Sequence, residues 1–530
     1  MTEAAGDAQR LLEDAAERVL ANPEAAAPWC RLVACAEAAP RQRHAAALAD
    51  LLVRRVPATG LAGFHLQLHL GWLTGDWAHW ARAAALLPTL VPRDPERDRA
   101  FLHAAWQVAL RDAKDRHSFV RKLQAARLPA IAQGLGQDLA QALPRDGWPD
   151  AGAPLRRVAL VAPALAGLGH PPTRMVLDQA WVLLRQGLQV QLFTGQESHW
   201  QEFDSLLGGS APLRAQPLDS SGWATHVGAN LVLHQGDMRF SVGRRLRRML
   251  PVLQAWQPDA VLCVGMACSL GHALAAVRPV LALATHAVRP MVASDVWLST
   301  APDTRPETPW QMDAPASLAW HHPYRVRRGQ ARGLHSRQAL DIPAEATVLV
   351  TLGNAHALAR LDATWLAPLA LLLQQQPGLV WVLAGCPQAL PAPLLALQRA
   401  VPAAQLRCLP TTTDPAGLLQ LADLYLHPPH SRGGLAVAEA MAEGLPVLAL
   451  AGGDGGSAVG DAATPDLPAY FQQLRAWIAD PQARAVQADS MRQRFANQLD
   501  LDASGWSLVQ ALSLARTRFA RRAQRRLSPG

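Results

Sequence analysis

Short apolar runs alternate with helical patterns from residue 157 onward, and they do so in two successive series. The first series lies at residues 158–163, 190–194, 230–234, 260–265, 280–285 and 296–300, and the second at 347–352, 379–384, 406–409, 424–427 and 447–450. Buried strands that alternate with helices form parallel sheets. We therefore predict two α/β domains, with ligands at the carboxyl ends of the strands in the cleft between them.

The first 142 residues have a different pattern, which is helical throughout. Apolar side chains recur at spacings of three and four residues, as in Leu11, Leu12, Ala15, Val19 and Leu20. Two stretches resemble tetratricopeptide half-repeats, but they do not keep the period of about 34 residues that such repeats require. We predict an array of helical hairpins, and the alternative is a plain helical cap on the α/β domains.

Two irregular segments divide the chain. Residues 143–156 are rich in Pro and Gly, and residues 301–345 carry Pro, Arg and His without periodicity. A chain of 530 residues is longer than one hydrophobic core normally supports. We therefore expect three domains, at 1–150, 151–335 and 336–530, with helices at the end of the third that can return to the second.

The charge of the chain is basic and comes almost entirely from Arg. The formal net charge is +8, and the most basic stretch is the tail from Arg516 to Arg526. A solvated helix face is one interpretation of this tail, and weak contact with an anionic membrane surface or an acidic partner is the other. The chain shows no nucleic-acid-binding module, so we predict no nucleic-acid partner.

The cysteines and the N-terminus bear on the compartment. Six cysteines occur without CxxC spacing or an accompanying His cluster, so the sequence indicates neither a disulfide scaffold nor a zinc site. The N-terminal segment lacks the basic start and apolar run of a signal peptide. No apolar stretch that could span a bilayer is free of charged residues and Pro, so we expect no transmembrane segment. These features predict a cytoplasmic protein.

One segment carries the most specific chemical signal. In SRGGLAVAEAMAEGLPVLAL, residues 431–450, Gly433 and Gly434 begin a helix directly after a strand, and Glu439 follows five residues later. Glycines allow close backbone approach, and a helix start favours a phosphate group. The segment resembles the C-terminal half of GT-B glycosyltransferases, whose fold consists of two Rossmann-like domains. In that resemblance, Glu439 binds the ribose of a nucleotide-sugar, whereas Ser431 replaces a Glu that many retaining members have.

A second segment narrows the resemblance. TLGNAHALARLD, from Thr351, looks like the donor-domain opening of the O-GlcNAc transferase family, which includes bacterial cytoplasmic adhesin glycosyltransferases. Asn354 occupies the place of a strand-end Asn, and Arg360 stands where the family has a Lys that neutralises the departing diphosphate. The resemblance implies that both bind the donor, and Arg can contact a diphosphate through two parallel hydrogen bonds.

Further candidates follow other strands. His170 in LGHPPTR and His286 in LATHAVRP resemble histidines of this family that reach the cleft, where they would orient the acceptor or bind the donor phosphate. Each has the alternative of an ordinary loop or core His. His430 after the strand LYLHP, like its neighbour His427, and Asp454 after the last strand are candidate donor ligands, with a loop residue or a simple turn as the alternative.

Three positions depart from the family pattern. Ala357 replaces a Gln near the pyrophosphate, and Thr412 and Pro415 replace a Lys and a His that hold uracil. UDP is the donor nucleotide that the resemblance implies, and GDP and dTDP stay open. The cleft segments contain no Asp-x-Asp motif, so we predict neither a metal site nor a cofactor beyond the nucleotide-sugar.

These observations predict a metal-independent hexosyl- or N-acetylhexosaminyltransferase. The family resemblance implies a protein acceptor, with Ser/Thr side chains the first choice and a surface or secreted protein such as flagellin or an adhesin as a partner. It also suggests inversion at the anomeric carbon. One alternative is transfer to a glycan or a lipid-linked saccharide. The other is a non-catalytic GT-B scaffold that binds partners through its helical domain.

Overall fold

The computed structural model describes most of the chain. The described residues are 2–38, 41–112, 116–144, 146–150, 152–197, 220–286, 288–300, 316–318, 321–326, 333–353, 358, 361–429 and 433–527. Three of the predicted site residues, Asn354, Arg360 and His430, lie outside them, as does Ala357.

The N-terminal part of the structure is a set of helices without strands among its described residues. The helices are α1 (Thr2–Ala21), α2 (Ala26–Ala38), α3 (Arg41–Arg55), α4 (Gly60–Thr74), α5 (Trp77–Leu86), α6 (Pro95–Asp112), α7 (Arg116–Ala125) and α8 (Leu128–Ala140). Side-chain caps mark some of their ends, as where Asp76 accepts a hydrogen bond from the backbone of Ala78 at the start of α5. The helical prediction for this region therefore holds.

A first parallel sheet follows, with its helices. Its elements are β1 (Arg157–Ala162), α9 (Pro171–Arg185), β2 (Gln189–Thr194), α10 (Ser220–Val227), β3 (Val232–Gln235), α11 (Val242–Trp256), β4 (Ala260–Val264), α12 (Ser269–Leu274), β5 (Val280–Leu283), β6 (Val296–Leu298) and β7 (Ala316–Leu318). The strand order is β3-β2-β1-β4-β5-β6-β7, which begins as in a Rossmann fold. The strand β7 corrects the sequence prediction, because its residues belong to segment 301–345, for which the sequence predicts an irregular connection.

The second sheet repeats this arrangement on a smaller scale. Its elements are β8 (Thr347–Leu352), α13 (Ala363–Gln375), β9 (Leu379–Ala384), α14 (Ala392–Ala400), β10 (Leu406–Leu409), α15 (Pro415–Gln420), β11 (Leu424–Leu426), α16 (Gly434–Glu443), β12 (Val447–Leu448) and α17 (Asp454–Val459). The order β10-β9-β8-β11-β12 is again Rossmann-like, and all pairs are parallel. The predicted arrangement of two Rossmann-like domains behind an all-α domain is confirmed.

The last helices carry the chain back to the first sheet. They are α18 (Leu467–Ala479), α19 (Pro481–Arg494), α20 (Leu501–Ser504) and α21 (Trp506–Leu527), with a π-helical turn at Phe495–Leu499. The apolar face of α21, including Leu508 and Leu512, is buried in the same core as the strands of the first sheet. The C-terminus therefore ties the two Rossmann-like domains together.

Three arginines of the basic tail take part in this docking. The guanidinium of Arg516 donates to the carbonyl oxygen of Ala153, and that of Arg518 donates to the carbonyl of Asp295. Arg522 pairs with the carboxylate of Asp295 at 3.0 Å. The fold itself thus uses much of the positive charge that the sequence alone left open to a membrane or a partner.

The helical domain joins the first Rossmann-like domain through a shared core. The apolar side chains of α4 to α8 form one cluster with Met266, Ala284, Val288 and Met291, which lie near the carboxyl ends of β4 and β5. The carboxylate of Glu96, in the first turn of α6, accepts a hydrogen bond of 2.7 Å from the backbone of Gly243 at the start of α11. The helical domain is therefore packed against the end of the sheet where ligands bind.

Gly136 lies at a close contact in this interface. A Cβ atom at Gly136 on α8 would overlap the imidazole of His272 on α12, and burial lowers the pKa of that imidazole to about 4. A Cβ atom at Gly134, one half-turn earlier, would meet only the flexible end of Arg93 at 3.5 Å. Both glycines lie in α8, but only Gly136 packs against the other domain. Substituting each by Ala therefore distinguishes the effect of helix propensity from the effect of steric overlap at the interface.

We expect Gly136→Ala to lower the free energy of unfolding by about 1–3 kcal/mol, because His272 has no space to move without repacking. Gly134→Ala is the matched control and should leave stability unchanged or raise it by up to about 1 kcal/mol, since Ala favours a helix over Gly. Thermal and urea unfolding of the two variants measure the difference. Equal effects of both substitutions would contradict the close interface.

Candidate functional site

The cleft between the two Rossmann-like domains collects the loops that follow their strands. In the first domain, His170 follows β1 and His286 follows β5. In the second domain, Gly433 follows β11 and Asp454 follows β12. Since carboxyl ends of parallel strands share one edge of a sheet, four sequence-predicted residues lie on the ligand-binding edges of their sheets.

The start of α16 has the geometry of an anion site. Gly433 precedes the helix with φ of +102°, a backbone conformation that favours glycine. A Cβ atom at Gly434 would come within 3.3 Å of the Cβ of Asp454, so the first turn of α16 packs closely on the start of α17. The two glycines thus allow two helix starts to converge, and backbone N–H groups at a helix start attract negative charge.

Glu439 lies in the second turn of α16 and faces the first Rossmann-like domain. Its side chain is 16% exposed. Burial raises the pKa of the Glu439 carboxyl, whereas the nearby guanidinium of Arg174 opposes this rise. A carboxylate that is buried at the edge of a cleft, with one cation beside it, retains oxygens that can accept hydrogen bonds from a ligand.

Arg174 is the residue that sequence analysis missed. It lies in the first turns of α9, and its Nη1 donates to Oε1 of Glu439 at 3.2 Å, across the cleft. Its Nη2 donates to the carbonyl oxygen of Arg325 at 3.2 Å, and its Nε lies 4.0 Å from Oδ2 of Asp178. Its place four residues after His170 is a signal in retrospect, because both residues belong to the same helix start.

Segment 321–326 is hydrogen-bonded to α9 near the Arg174–Glu439 pair. The carboxylate of Asp178, which is fully buried, accepts hydrogen bonds from Nε2 of His226 at 2.6 Å and from the backbone of Arg325 at 2.9 Å. The amide of Gln179 bonds both to Nε2 of His321 and to the carbonyl of Pro323. Helix α9 therefore fixes the segment whose carbonyl orients Arg174.

His286 lies where the three domains meet. Its ring is 5.7 Å from that of Trp106 on α6 and 6.3 Å from that of Phe119 on α7, measured between centroids. Its Nδ1 is 4.0 Å from Oδ2 of Asp454 in the second Rossmann-like domain. The imidazole thus has aromatic neighbours from the helical domain and a carboxylate from the opposite side of the cleft.

His170 has a different setting. It precedes the first turn of α9, and its Nδ1 is 2.9 Å from Oγ1 of Thr173, which also accepts a hydrogen bond from the backbone of Ala166. The amide of Gln196 bonds to both the N–H and the carbonyl of Leu165 in the same loop. The loop after β1 is therefore held from two sides, and His170 is partly exposed at its end.

Other candidates from the sequence have structural surroundings. His427 is only 3% exposed, and a Cβ atom at Gly455 would overlap its ring, so it supports α17 from below. Its ring packs under α17, and its role as a donor ligand stays a prediction. Thr412 lies 2.8 Å from Nε2 of His335 through its hydroxyl, and Pro415 begins α15. Of the two departures from the family pattern, Thr412 contacts the segment that contains His335, and Pro415 is the first residue of a helix.

The described ranges contain neither a cluster of metal-ligating side chains nor a membrane-spanning helix. In that part of the chain, no three His, Cys, Asp or Glu side chains group together as metal ligands. None of the described helices combines the length and the apolar composition that crossing a membrane requires.

The structure is similar to solved glycosyltransferase structures. HepE of Anabaena in complex with UDP and glucose matches with a TM-score of 0.48 and 14% identity, over 68% of this chain and 100% of that chain. A glycosyltransferase from Rickettsia africae matches with a TM-score of 0.47 and 10% identity, over 68% and 99%. An O-GlcNAc transferase from Thermobaculum terrenum matches with a TM-score of 0.40 and 15% identity, over 98% and 99%.

The sequence comparisons give no match. No protein-family model fits this sequence, and no curated protein is similar to it. The structural similarities, at these low identities, concern the fold.

The segment beside Arg174 should make the protein sensitive to acid. The pKa of His322 is lowered to about 3, mainly by burial and to a smaller extent by the nearby His321 and Arg174. A His in the unfolded chain titrates near pH 6.5. Below about pH 6.5 the unfolded chain binds a proton that the folded chain does not, so stability falls as the pH falls. We expect His322→Gln to flatten the loss of urea-unfolding free energy from neutral to mildly acidic pH, by up to about 1.4 kcal/mol per pH unit.

The reference for this prediction is the unsubstituted protein, measured over the same pH range. If His322→Gln showed the same slope of stability against pH as the unsubstituted protein, the buried neutral state of His322 would be wrong.

Proposed function

We propose that this chain is a glycosyltransferase that moves a sugar from a nucleotide-sugar to an acceptor in the interdomain cleft. The observation that carries the proposal is the position of Glu439, a largely buried carboxylate one turn inside a helix that begins at Gly433. A helix start for the diphosphate and a carboxylate for the ribose hydroxyls, at the carboxyl edge of a Rossmann-like sheet, form a nucleotide site.

The donor would lie on the second Rossmann-like domain. Its diphosphate would meet the backbone N–H groups after Gly433. Asn354 and Arg360, which follow β8 in the sequence, and His430, which precedes α16 in the sequence, would be further donor ligands. Asp454 and Gly434 lie together beside this helix start, where the sugar would extend toward the first domain. UDP is the nucleotide that we propose first, because of the family resemblance of these segments.

The reaction would need no divalent metal. Cleavage of the bond between the anomeric carbon and the phosphate oxygen leaves negative charge on the nucleoside diphosphate. The start of α16 would stabilise that charge through the helix dipole and its backbone N–H groups. The guanidinium of Arg360 would stabilise it through hydrogen bonds. The segments of the cleft offer no Asp-x-Asp pair to hold a metal instead.

His286 is our candidate for the general base. Nε2 of its imidazole would take the proton from the acceptor hydroxyl as the oxygen bonds to the anomeric carbon, and Asp454 would stabilise the imidazolium through Nδ1, which lies 4.0 Å away. A single displacement of this kind inverts the anomeric configuration. His170, on the same edge of the sheet, would orient the acceptor.

The acceptor that we propose is a protein side chain, with a Ser or Thr hydroxyl as the reacting group. Trp106 and Phe119 of the helical domain lie against His286, so the helical domain forms one wall of the acceptor entrance. The family resemblance of the sequence suggests a surface or secreted protein such as flagellin or an adhesin as the partner. All six cysteines lie in the described part of the chain as thiols outside any disulfide, which fits the cytoplasmic location that we also propose.

Donor binding tests the nucleotide site. We expect Glu439→Gln to weaken UDP binding about ten- to hundredfold in calorimetry, because a hydrogen bond to a charged group contributes about 1.5–3 kcal/mol. The control is Glu443→Gln, one turn later in α16, where the carboxylate instead bonds to Gln420 at the surface. If the unsubstituted protein bound none of UDP, GDP, dTDP and their sugar esters, the proposed function would be wrong.

Intact-mass analysis tests the transfer itself. Candidate surface proteins co-expressed with this chain should gain the mass of one sugar, and the gain should disappear with Arg360→Ala. With His286→Ala we expect turnover to fall about 10²–10⁴-fold while donor affinity stays the same, which is typical of a lost general base. His234→Gln, which removes a ring stacked on Phe193 in the same domain, is the control. Undiminished turnover in His286→Ala would exclude it as the base.

A further inference from the structure

An ion pair between Arg174 and Glu439 joins helices α9 and α16 across the cleft. Nη1 and Oε1 are 3.2 Å apart, and the side chains are 24% and 16% exposed. The two residues belong to different Rossmann-like domains. Glu439 is the ribose ligand of the function proposed above, so the inference that follows rests on that function.

The surroundings of Arg174 leave its guanidinium little freedom. Its Nη2 is engaged by the carbonyl of Arg325, and the carboxylate of Asp178 faces its Nε. Arg325 in turn stacks on Trp181 at 3.9 Å and donates to Asp502 at 3.2 Å. The cation is therefore aimed at Glu439 by a fixed set of contacts, unlike a flexible pair on a surface.

The ionised state of Glu439 depends on the cation of Arg174. A largely buried carboxylate without a compensating charge is costly and tends to take up a proton. The charged and titratable groups that face Glu439 are Arg174 and Asp178 of α9, Glu443 of its own helix, Tyr324 of segment 321–326 and Tyr425 of β11. Arg174 is the one cation among these groups in the described part of the chain, and the others are acidic or neutral.

We propose that Arg174 is a positioning residue for the donor, which orients the carboxylate of Glu439 from the first Rossmann-like domain so that the ribose hydroxyls can bind to it. In this arrangement Arg174 donates to one oxygen of the Glu439 carboxylate, and the ribose hydroxyls donate to the same carboxylate. Donor affinity then depends on a residue of the domain that does not hold the donor. The nucleotide is bound tightly only when the domains are in the arrangement that places Arg174 on Glu439.

A merely structural ion pair would behave differently. Its loss would lower the stability of the protein or loosen the domains, and UDP affinity would stay the same at every pH. A direct contact of Arg174 with the diphosphate would also differ, because its loss would weaken binding whether or not Glu439 carries a charge. Calorimetry with UDP on a double-mutant cycle separates the three cases.

We expect Arg174→Met to weaken UDP binding about ten- to hundredfold at neutral pH, and Arg174→Lys, which keeps the charge, to weaken it less. In a Glu439→Gln background, Arg174→Met should change the affinity by less than about twofold, since the two residues act as one unit. Arg174→Met should also bind UDP more tightly as the pH rises, because Glu439 without its cation ionises at a higher pH. Glu439→Gln should lack that pH dependence.

Arg185→Met is the matched control. It removes a guanidinium from the same helix, where it stacks on Trp181 at 4.9 Å, and should leave UDP affinity unchanged. Equal UDP affinity in Arg174→Met and the unsubstituted protein would overturn the proposal, as would equal losses from Arg174→Met with and without the Glu439→Gln substitution. If Arg174→Met does not fold, Arg174→Lys in both backgrounds decides the same question. Absence of nucleotide binding in the unsubstituted protein would instead overturn the proposed function itself.

Discussion

The buried carboxylate of Asp178 is the interaction on which the cleft depends. It has no exposed surface, and it is satisfied by His226 and by the backbone of Arg325, with the guanidinium of Arg174 nearby. A charge at this depth is tolerated only with such partners. Because those partners come from α10, segment 321–326 and α9 itself, the carboxylate brings three separate parts of the chain together. The carbonyl that orients Arg174 is a product of that assembly.

Two of the contacts between the Rossmann-like domains differ in kind. The apolar face of α21 is buried against the first sheet, which stabilises the arrangement through buried apolar area. The pair between Arg174 and Glu439 is a single contact at the ligand-binding edge. The helix therefore joins the domains over a large apolar surface, whereas the ion pair depends on two side chains alone.

The sequence predicted the fold and the position of Glu439 shortly after a helix start because both depend on local patterns. Strand runs and the helix start at Gly433 follow from neighbouring residues, and Glu439 follows from its spacing to that start. Arg174 could not be found in this way, since its partner lies more than two hundred residues later and only the folded chain brings them together. The strand β7 was missed for a related reason, because three residues are too few to show a periodicity. His427 belongs to a residue type that often binds ligands, but its ring packs directly against Gly455. Such a contact is visible only in the folded chain.

The position of His286 adds a condition to the proposed chemistry. Its separation of 4.0 Å from Asp454 is longer than a hydrogen bond, which needs about 2.7–3.2 Å, so a movement of about 1 Å between the domains would make or break the interaction. The ring would have to leave Trp106 and Phe119 to follow Asp454 by itself. The proposed base and its carboxylate would therefore interact only when the domains approach each other. In a more open cleft, His286 would lack that support, and it would activate water poorly while no acceptor is present.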